Sequence, residues 1–304
     1  MKSLELVLNG KSAANENVRK AVYQLRSEGT PVSVHVTWEA GDAARIASNF
    51  SGNSDAVVVA GGGDGTVNEV LNGLFSLGKC LCAMAILPLG TANDLASSAG
   101  IPLGDPYLAL QLAAQTSPQA VDVGVMNDRY FLNVASGGFG AEVTSQTPTA
   151  LKNVLGGSAY ALEAMLMAMH SSAYSGRLIT PDKTYEGSII MFAVGNGRQA
   201  GGGAKMTPHA LLDDGLLDVM LVQAHENLNF FRTLESLAKL KLNATEGFHH
   251  LKTLQLTIEA DREMQVNLDG EPIRGQSFAF SVRPKALRLV LPANCPLLTH
   301  HISS

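Results

Sequence analysis

The chain has 304 residues, 46% of them hydrophobic, and a formal charge of −5 at pH 7. That length suits two domains, and the lack of any lysine- or arginine-rich run argues against nucleic acid as the main partner and against polybasic membrane recruitment. No apolar stretch approaches the roughly 18–20 residues of a spanning helix, the N-terminus is unlike a signal peptide, and three cysteines and eight histidines show no metal-ligand spacing, so a reduced cytosolic enzyme is the expected class.

Leu4–Leu8 reads as a strand, followed by the loop Asn9-Gly10-Lys11-Ser12 and a helix over Val18–Glu28. Pro31 opens a second strand, Val32–Val36, and Asp42 is placed to cap a helix over Ala43–Phe50. Ala56–Ala60 is a short, uninterrupted apolar run, suited to a strand buried on both faces of a parallel sheet. Then come Gly61-Gly62-Gly63-Asp64-Gly65-Thr66 and a helix from Val67 to Phe75, with Thr66 and Glu69 at the spacing of a capping box. Glycine lets backbone N–H groups converge, and a helix N-terminus adds unpaired donors, so phosphate is the ligand such a loop suits. A tight turn without ligand is the plain alternative.

Two familiar phosphate loops do not match. The dinucleotide fingerprint would need glycine where Asn68 stands. Gly10-Lys11-Ser12 resembles the tail of a P-loop, but its first glycine would fall at Glu5. Asp64, in the middle of the glycine loop, calls for a metal ion or a positioned hydroxyl between itself and the phosphates.

The strand Ala83–Leu87 leads into Pro88-Leu89-Gly90-Thr91-Ala92-Asn93-Asp94, a second turn and helix start in which Thr91 and Asp94 repeat the Thr66/Glu69 spacing. This alternation implies a parallel sheet with its ligand beyond the carboxyl ends of the strands. After Val121 the pattern changes. Val121–Met126, Asn127-Asp128 and Arg129–Val134 read as a hairpin. Further strands are expected at Ser188–Val194, Leu217–Val222, Thr253–Ile258, Gln265–Leu268, Phe278–Val282 and Ala286–Leu291. A methionine-rich helix near Ser158–His170 and an amphipathic helix over Asn229–Leu242 interrupt them. Core burial explains both helices, although a methionine-rich one also suits flexible acyl chains.

The stretch Gly62 to Glu69 together with Pro88 to Asp94 resembles the diacylglycerol kinase catalytic family, and within it the bacterial lipid kinases called YegS. Asn133 to Glu142, Gly195 to Gly203, Asp213 to Leu217 and Asn267 to Pro272 agree, in order, so the likeness covers essentially the whole chain. It implies an N-terminal NAD kinase/diacylglycerol kinase-like doubly wound α/β domain, residues 1–122, and a C-terminal β-sandwich, residues 123–290. The active site would lie in the interdomain cleft, with the tail 291–304 packing back on the first domain.

The resemblance further implies that Thr37, Gly63, Asp64, Gly65, Thr66, Val67, Asn68, Glu69 and Thr91 bind ATP, and that Glu271 is the general base. Asp214, with the carbonyls of Leu211 and Leu216, would hold Mg2+, for which Ca2+ could substitute. Read from the residues alone, Asp269-Gly270 is a hairpin turn and Leu211 to Leu216 a solvated acidic turn. The implied activity is transfer of the ATP γ-phosphoryl group to a hydroxyl of a membrane glycerolipid, with phosphatidylglycerol as one candidate. The enzyme would be cytoplasmic and touch the inner membrane surface transiently. Many relatives carry an Asn-Pro-containing loop where this chain has Asn9-Gly10-Lys11-Ser12, which places it nearer the YegS branch and weakens the case for diacylglycerol itself. Two rivals remain open at this point: a kinase of a soluble alcohol such as NAD or a sugar phosphate, and a nucleotide- or lipid-binding regulator without catalysis.

Overall fold

A computed structural model describes residues 3–138, 173–224 and 247–299. The N-terminal part is a parallel sheet in the order β2 (Val32–Val36), β1 (Ser3–Leu8), β3 (Ala56–Gly62), β4 (Ala83–Pro88). Every residue of β3 is buried because helices cover both faces. Val57 and Val59 point to α1 (Glu16–Ser27) and α5 (Pro106–Gln115), while Ala56, Val58 and Ala60 point to α2 (Asp42–Ser48), α3 (Asp64–Leu74) and α4 (Asp94–Ala99). The period of two along the strand thus sorts its side chains into two cores.

The C-terminal part is antiparallel. Its strands are β5 (Gln119–Met126), β6 (Arg129–Phe131), β7 (Val134–Gly138), β8 (Tyr174–Ile179), β9 (Thr184–Gly195), the short β10 (Gln199–Ala200) and β11 (Ala204–Lys205), β12 (Leu217–Gln223), β13 (Phe248–Thr253), β14 (Gln255–Leu268) and β15 (Glu271–Leu289). The expected strands Phe278–Val282 and Ala286–Leu291 are two parts of β15, interrupted in pattern where Lys285 takes a positive φ of 51°. Arg288 and Leu289 of this long strand pair in parallel with Ala83 and Met84 of β4, joining the two parts edge to edge. The expected strand Thr253–Ile258 spans a break at Leu254, where β13 ends and β14 begins. The two expected helices near 158–170 and 229–242 lie outside the described residues. Among the described residues no helix is long and apolar enough to cross a membrane.

Where β5 passes from one part to the other, buried Asp122 accepts hydrogen bonds from the N–H groups of Gly215 (2.6 Å) and Lys285 (2.7 Å). Leu291, Cys295, Leu297 and Leu298 bury themselves in the core that α2, α3 and α4 share with the sheet. That core is closely packed at the crossing of α2 and α3. A methyl group on Gly73 would overlap the Ala44 backbone. Gly73→Ala is therefore expected to cost about 1–3 kcal/mol despite its better helix propensity, readable as a lower midpoint of chemical unfolding.

The candidate active site in the cleft

The helix after the glycine loop begins earlier than its sequence spacing suggests. Gly63 is extended (φ −89°, ψ −172°) and α3 starts at Asp64, so Asp64, Gly65 and Thr66 form the first turn. The Thr66/Glu69 pair is therefore not a capping box, and no side chain caps this helix. Val67 N–H is the first to bond back, to Gly63 O at 3.1 Å. Of the donors before it, the Asp64 N–H meets its own carboxyl, while those of Gly65 and Thr66 belong to the set that a helix start leaves without an intrahelical partner, at the carboxyl end of β3. Thr66 Oγ1 accepts from Asn9 Nδ2 (3.1 Å), and Gly10 N–H donates to Thr37 Oγ1 (3.1 Å), so the ends of β1, β2 and β3 are laced together.

The second turn departs from its expected cap in the same way. Asn93, with φ 51°, brackets Gly90 through both polar atoms of its amide and does not cap α4, whose first N–H groups, those of Asp94 and Leu95, go to the Asp64 carboxyl. Thr91 is exposed on the turn. Asp94 instead reaches across the cleft, accepting from the N–H groups of Gly202 (3.0 Å) and Gly203 (2.6 Å). Gly201, Gly202 and Gly203 all have positive φ, which lets that loop present its amides. Asp42 does not cap α2 either. It lies inside the first turn and holds the preceding loop, accepting from Trp38 N–H (2.8 Å) and Glu39 N–H (3.2 Å). Arg45 and these N–H groups depress its carboxyl to about 2.

Asp64 sits in the cleft with its carboxyl pushed upward, first by burial and then by the charge of Asp94. Glu69 is raised too, by burial and then by the charge of Glu271, against the N–H groups of Gly41 and Ala43 that favour its ionised form. Four carboxylates thus gather around one helix start, a setting that needs a proton, a cation or a bound donor group to balance it.

Glu271 comes from the other part of the fold. Leu268 pairs with Glu271 across a two-residue hairpin turn, Asp269-Gly270, whose φ values are 48° and 99°. Both are positive, the geometry of a type I′ turn. The turn is pressed against α3: a methyl group built on Gly65 would lie 3.1 Å from Glu271 Oε1. What holds it there is Asp269, which is buried and accepts from the N–H groups of Leu132 (2.9 Å), Asn133 (3.1 Å) and Val134 (2.9 Å), and from Asn68 Nδ2 (3.3 Å). Burial pushes its carboxyl up to about 6 against the pull of these donors.

Among the residues expected to bind nucleotide, Gly63, Asp64, Gly65 and Thr66 therefore come together at the start of α3, with Thr37 just past the end of β2. Val67 and Asn68 face elsewhere. Val67 is in the core with its N–H bonded, and Asn68 directs its amide to Asp269 and to Tyr130 O (3.1 Å). Asn72 adds two further bonds with the Tyr130 backbone, and Phe75 stacks on the Tyr130 ring at 4.6 Å between centroids. The side of α3 facing away from the strands is thus a docking face for the other part. Sequence reasoning missed Asp94, Asp269 and Tyr130 in these roles. The three consecutive glycines 201–203 were the available signal for the first, and the dismissed hairpin turn hid the second.

The acidic turn lies apart from this helix start. Asp214 Oδ2 accepts from Lys252 Nζ (2.7 Å) and Oδ1 from Leu216 N–H (3.1 Å). Lys252 Nζ also donates to His209 O (3.1 Å). A carboxylate among backbone carbonyls is the donor chemistry a hard cation takes, and any such ion would meet Lys252 as a competitor for Asp214. Among the described residues no group of three His, Cys, Asp or Glu side chains could hold a metal ion.

Comparison with known proteins agrees with this architecture. Residues 4–126 match the diacylglycerol kinase catalytic domain, and residues 133–291 match the YegS C-terminal NAD kinase β-sandwich-like domain. The chain is 46% identical over 293 residues to the "probable lipid kinase YegS-like" of Pseudomonas aeruginosa PAO1, covering 96% of this chain and 95% of the relative. The protein of the same name from Chromohalobacter salexigens is 43% identical over 296 residues, covering 97% and 95%. A candidate diacylglycerol kinase from Bacillus anthracis superposes with a TM-score of 0.77 at 26% identity, covering 97% of this chain and 96% of its own. With both domains matched in order and the cleft between them carrying the glycine loop and Glu271, the chain belongs to the diacylglycerol kinase catalytic family, in its YegS-like branch, and is a lipid kinase.

Proposed function

We propose that this kinase transfers the γ-phosphoryl group of ATP to a hydroxyl of a glycerolipid, with phosphatidylglycerol the first acceptor to test, and that Glu271 is the general base. The observation that supports this most is the placement of Glu271 Oε1 against Gly65 at the start of α3. A γ-phosphate held by the helix-start donors would have a carboxylate beside it, on the side open to the C-terminal domain. An acceptor hydroxyl between the two could lose its proton to Glu271 as its oxygen attacks phosphorus. The bond from the γ-phosphorus to the β–γ bridging oxygen breaks as the new one forms, and ADP leaves carrying that oxygen, so positioning and charge balance carry most of the rate.

The helix-start N–H groups and Thr66 orient the phosphates, and Asp64 organises the charge around them, through the divalent ion that accompanies ATP. That ion, when bound, neutralises developing charge on the phosphoryl oxygens. A second ion would be held by Asp214 and the carbonyls of Leu211 and Leu216. If so, Lys252→Met should increase the rise in melting temperature that Mg2+ or Ca2+ produces, because the competing ammonium is gone. An unchanged metal response would remove this turn from the metal sites.

The function is tested by incubating the protein with γ-labelled ATP and a total lipid extract, and identifying the labelled product. Label in a glycerolipid supports the proposal. Label only in a soluble alcohol, or none while ATP and lipid both bind, would turn it toward one of the rival readings.

A further inference from the structure

The direction in which a nucleotide must lie follows from where the C-terminal part meets the edge of the parallel sheet. Glu271 meets the start of α3 from the C-terminal part, and Gly202 and Gly203 of that part close on Asp94 just after β4, so the sheet order β4-β3-β1-β2 leaves its free edge at β2. With the transferable phosphate at the start of α3 facing Glu271, the rest of the donor has to lead away from the C-terminal domain. Along the carboxyl ends of the strands, away means across β1 toward β2. Two strand spacings are roughly 10 Å, which a nucleoside and its phosphates can span.

The path is prepared. Thr37 N–H bonds to Leu8 O (2.9 Å), and Gly10 N–H bonds to Thr37 Oγ1 (3.1 Å), closing the gap between the two strand ends. Gly10 carries no side chain there, and a methyl group on it would overlap the Thr37 carbonyl. At the far end stands Trp38, 95% exposed. Its backbone is not loose: its N–H is held by Asp42 Oδ2, as is that of Glu39. A fixed stem thus carries a bare indole, the largest apolar side chain there is, at the position where the base of the nucleotide would arrive.

We propose that Trp38 is the platform on which the adenine of ATP stacks. This rests on the ATP reading of the same cleft. A purine offers a neutral π-face, so the nearby carboxylates of Glu39 and Asp42 do not oppose it. A lipid surface is the other occupant an exposed indole could take, with Val34 and Val36 partly exposed on the strand β2 that precedes it. An anionic bilayer would, however, press its phosphates against those two carboxylates, and for that reason the base is the better fit.

Trp38 is the only tryptophan in the chain, so its emission reports this site alone. ATP or ADP should quench it saturably, with the dissociation constant that equilibrium dialysis gives. Trp38→Ala should weaken ATP about tenfold in dialysis, a factor within the range of base–aromatic stacking. In the lipid kinase assay the same variant should raise the KM for ATP by a similar factor, with kcat changed less than about twofold and the KM for lipid unchanged. Trp38→Phe should recover most of the affinity. ATP binding by Trp38→Ala equal to wild type would overturn the assignment. So would a blue shift on phosphatidylglycerol vesicles together with a higher KM for lipid, which would give the indole to the membrane. If the wild-type chain binds no adenine nucleotide in dialysis, the ATP reading itself fails, and this assignment with it.

Discussion

Replacing Glu271 by glutamine should lower lipid phosphorylation by about 10²- to 10⁴-fold, the range a positioned general base contributes, while ATP binds as before. Glutamine keeps the size of the side chain and its place on the hairpin but cannot take a proton. The backbone donors of Gly65 and Thr66, which the proposed reading gives to the phosphates, belong to α3 and do not depend on Glu271, so the dissociation constant for ATP should be unmoved. Measuring kcat and nucleotide affinity on the same preparation separates the two effects. A second readout comes from Glu69, whose carboxyl is held up partly by the charge of Glu271. With that charge removed, Glu69 should titrate lower, observable by carbon-13 NMR of labelled glutamate. Turnover near wild type would take Glu271 out of the chemistry. Loss of ATP affinity along with turnover would instead show a collapse of the cleft.

Much of the α/β domain was legible because its signals are local. Ala56–Ala60 is apolar without a break, and only a strand covered on both faces leaves such a run no solvent side. The exchange of β-α alternation for hairpin signals after Val121 marked the change from parallel to antiparallel pairing, and β5 does run antiparallel to both β6 and β15. The failures share one cause. At Thr66/Glu69, Thr91/Asp94 and Asp42, cap-type residues are present, but Thr66, Glu69 and Asp94 are claimed by partners remote in sequence and Asp42 by the preceding loop, while Thr91 stands exposed. Asn9 lies 57 positions from Thr66, and Gly202 lies 108 from Asp94. A capping motif is a statement about local competition, and tertiary contacts across a cleft win that competition here.

Asn68 makes the same point about carried-over roles. Its place in the glycine motif suggested a nucleotide contact, yet its amide is buried and bonded to Asp269 and Tyr130. A motif residue can be needed because it docks the helix rather than because it touches the ligand. The Asp269-Gly270 turn shows the reverse. Read locally it is a common hairpin signal, and nothing near it in sequence says that its aspartate gathers donors from residues 132–134 and from α3.

Asp269 is accordingly where a single atom change should disturb stability most. Each of its oxygens accepts from N–H donors: Oδ1 from Asn133 and Val134, Oδ2 from Leu132 and Asn68. Asp269→Asn would turn one of these oxygens into an NH₂ facing two donors, leaving buried groups unpaired at about 1–3 kcal/mol each. We expect a loss of about 2–4 kcal/mol in the free energy of unfolding, and, because the turn carries Glu271, a fall in kcat larger than any change in the KM for ATP. The wild-type carboxyl supplies a pH signature that distinguishes this from general damage. Its value is raised from 3.8 to about 6 on folding, so the folded state holds the proton more tightly than the unfolded chain does. The contribution is fully present below about pH 4 and is lost as pH rises toward 6, amounting to about 3 kcal/mol across that window. In the wild type, stability from this group should therefore decline between pH 4 and 6, and in Asp269→Asn that component of the slope should vanish. Equal pH slopes for the two proteins, measured by chemical unfolding at several pH values, would mean that the donors of residues 132–134 and Asn68 hold the carboxylate ionised throughout. In that case the charge itself, and not a proton, is what fastens the hairpin of Glu271 to the helix that faces it.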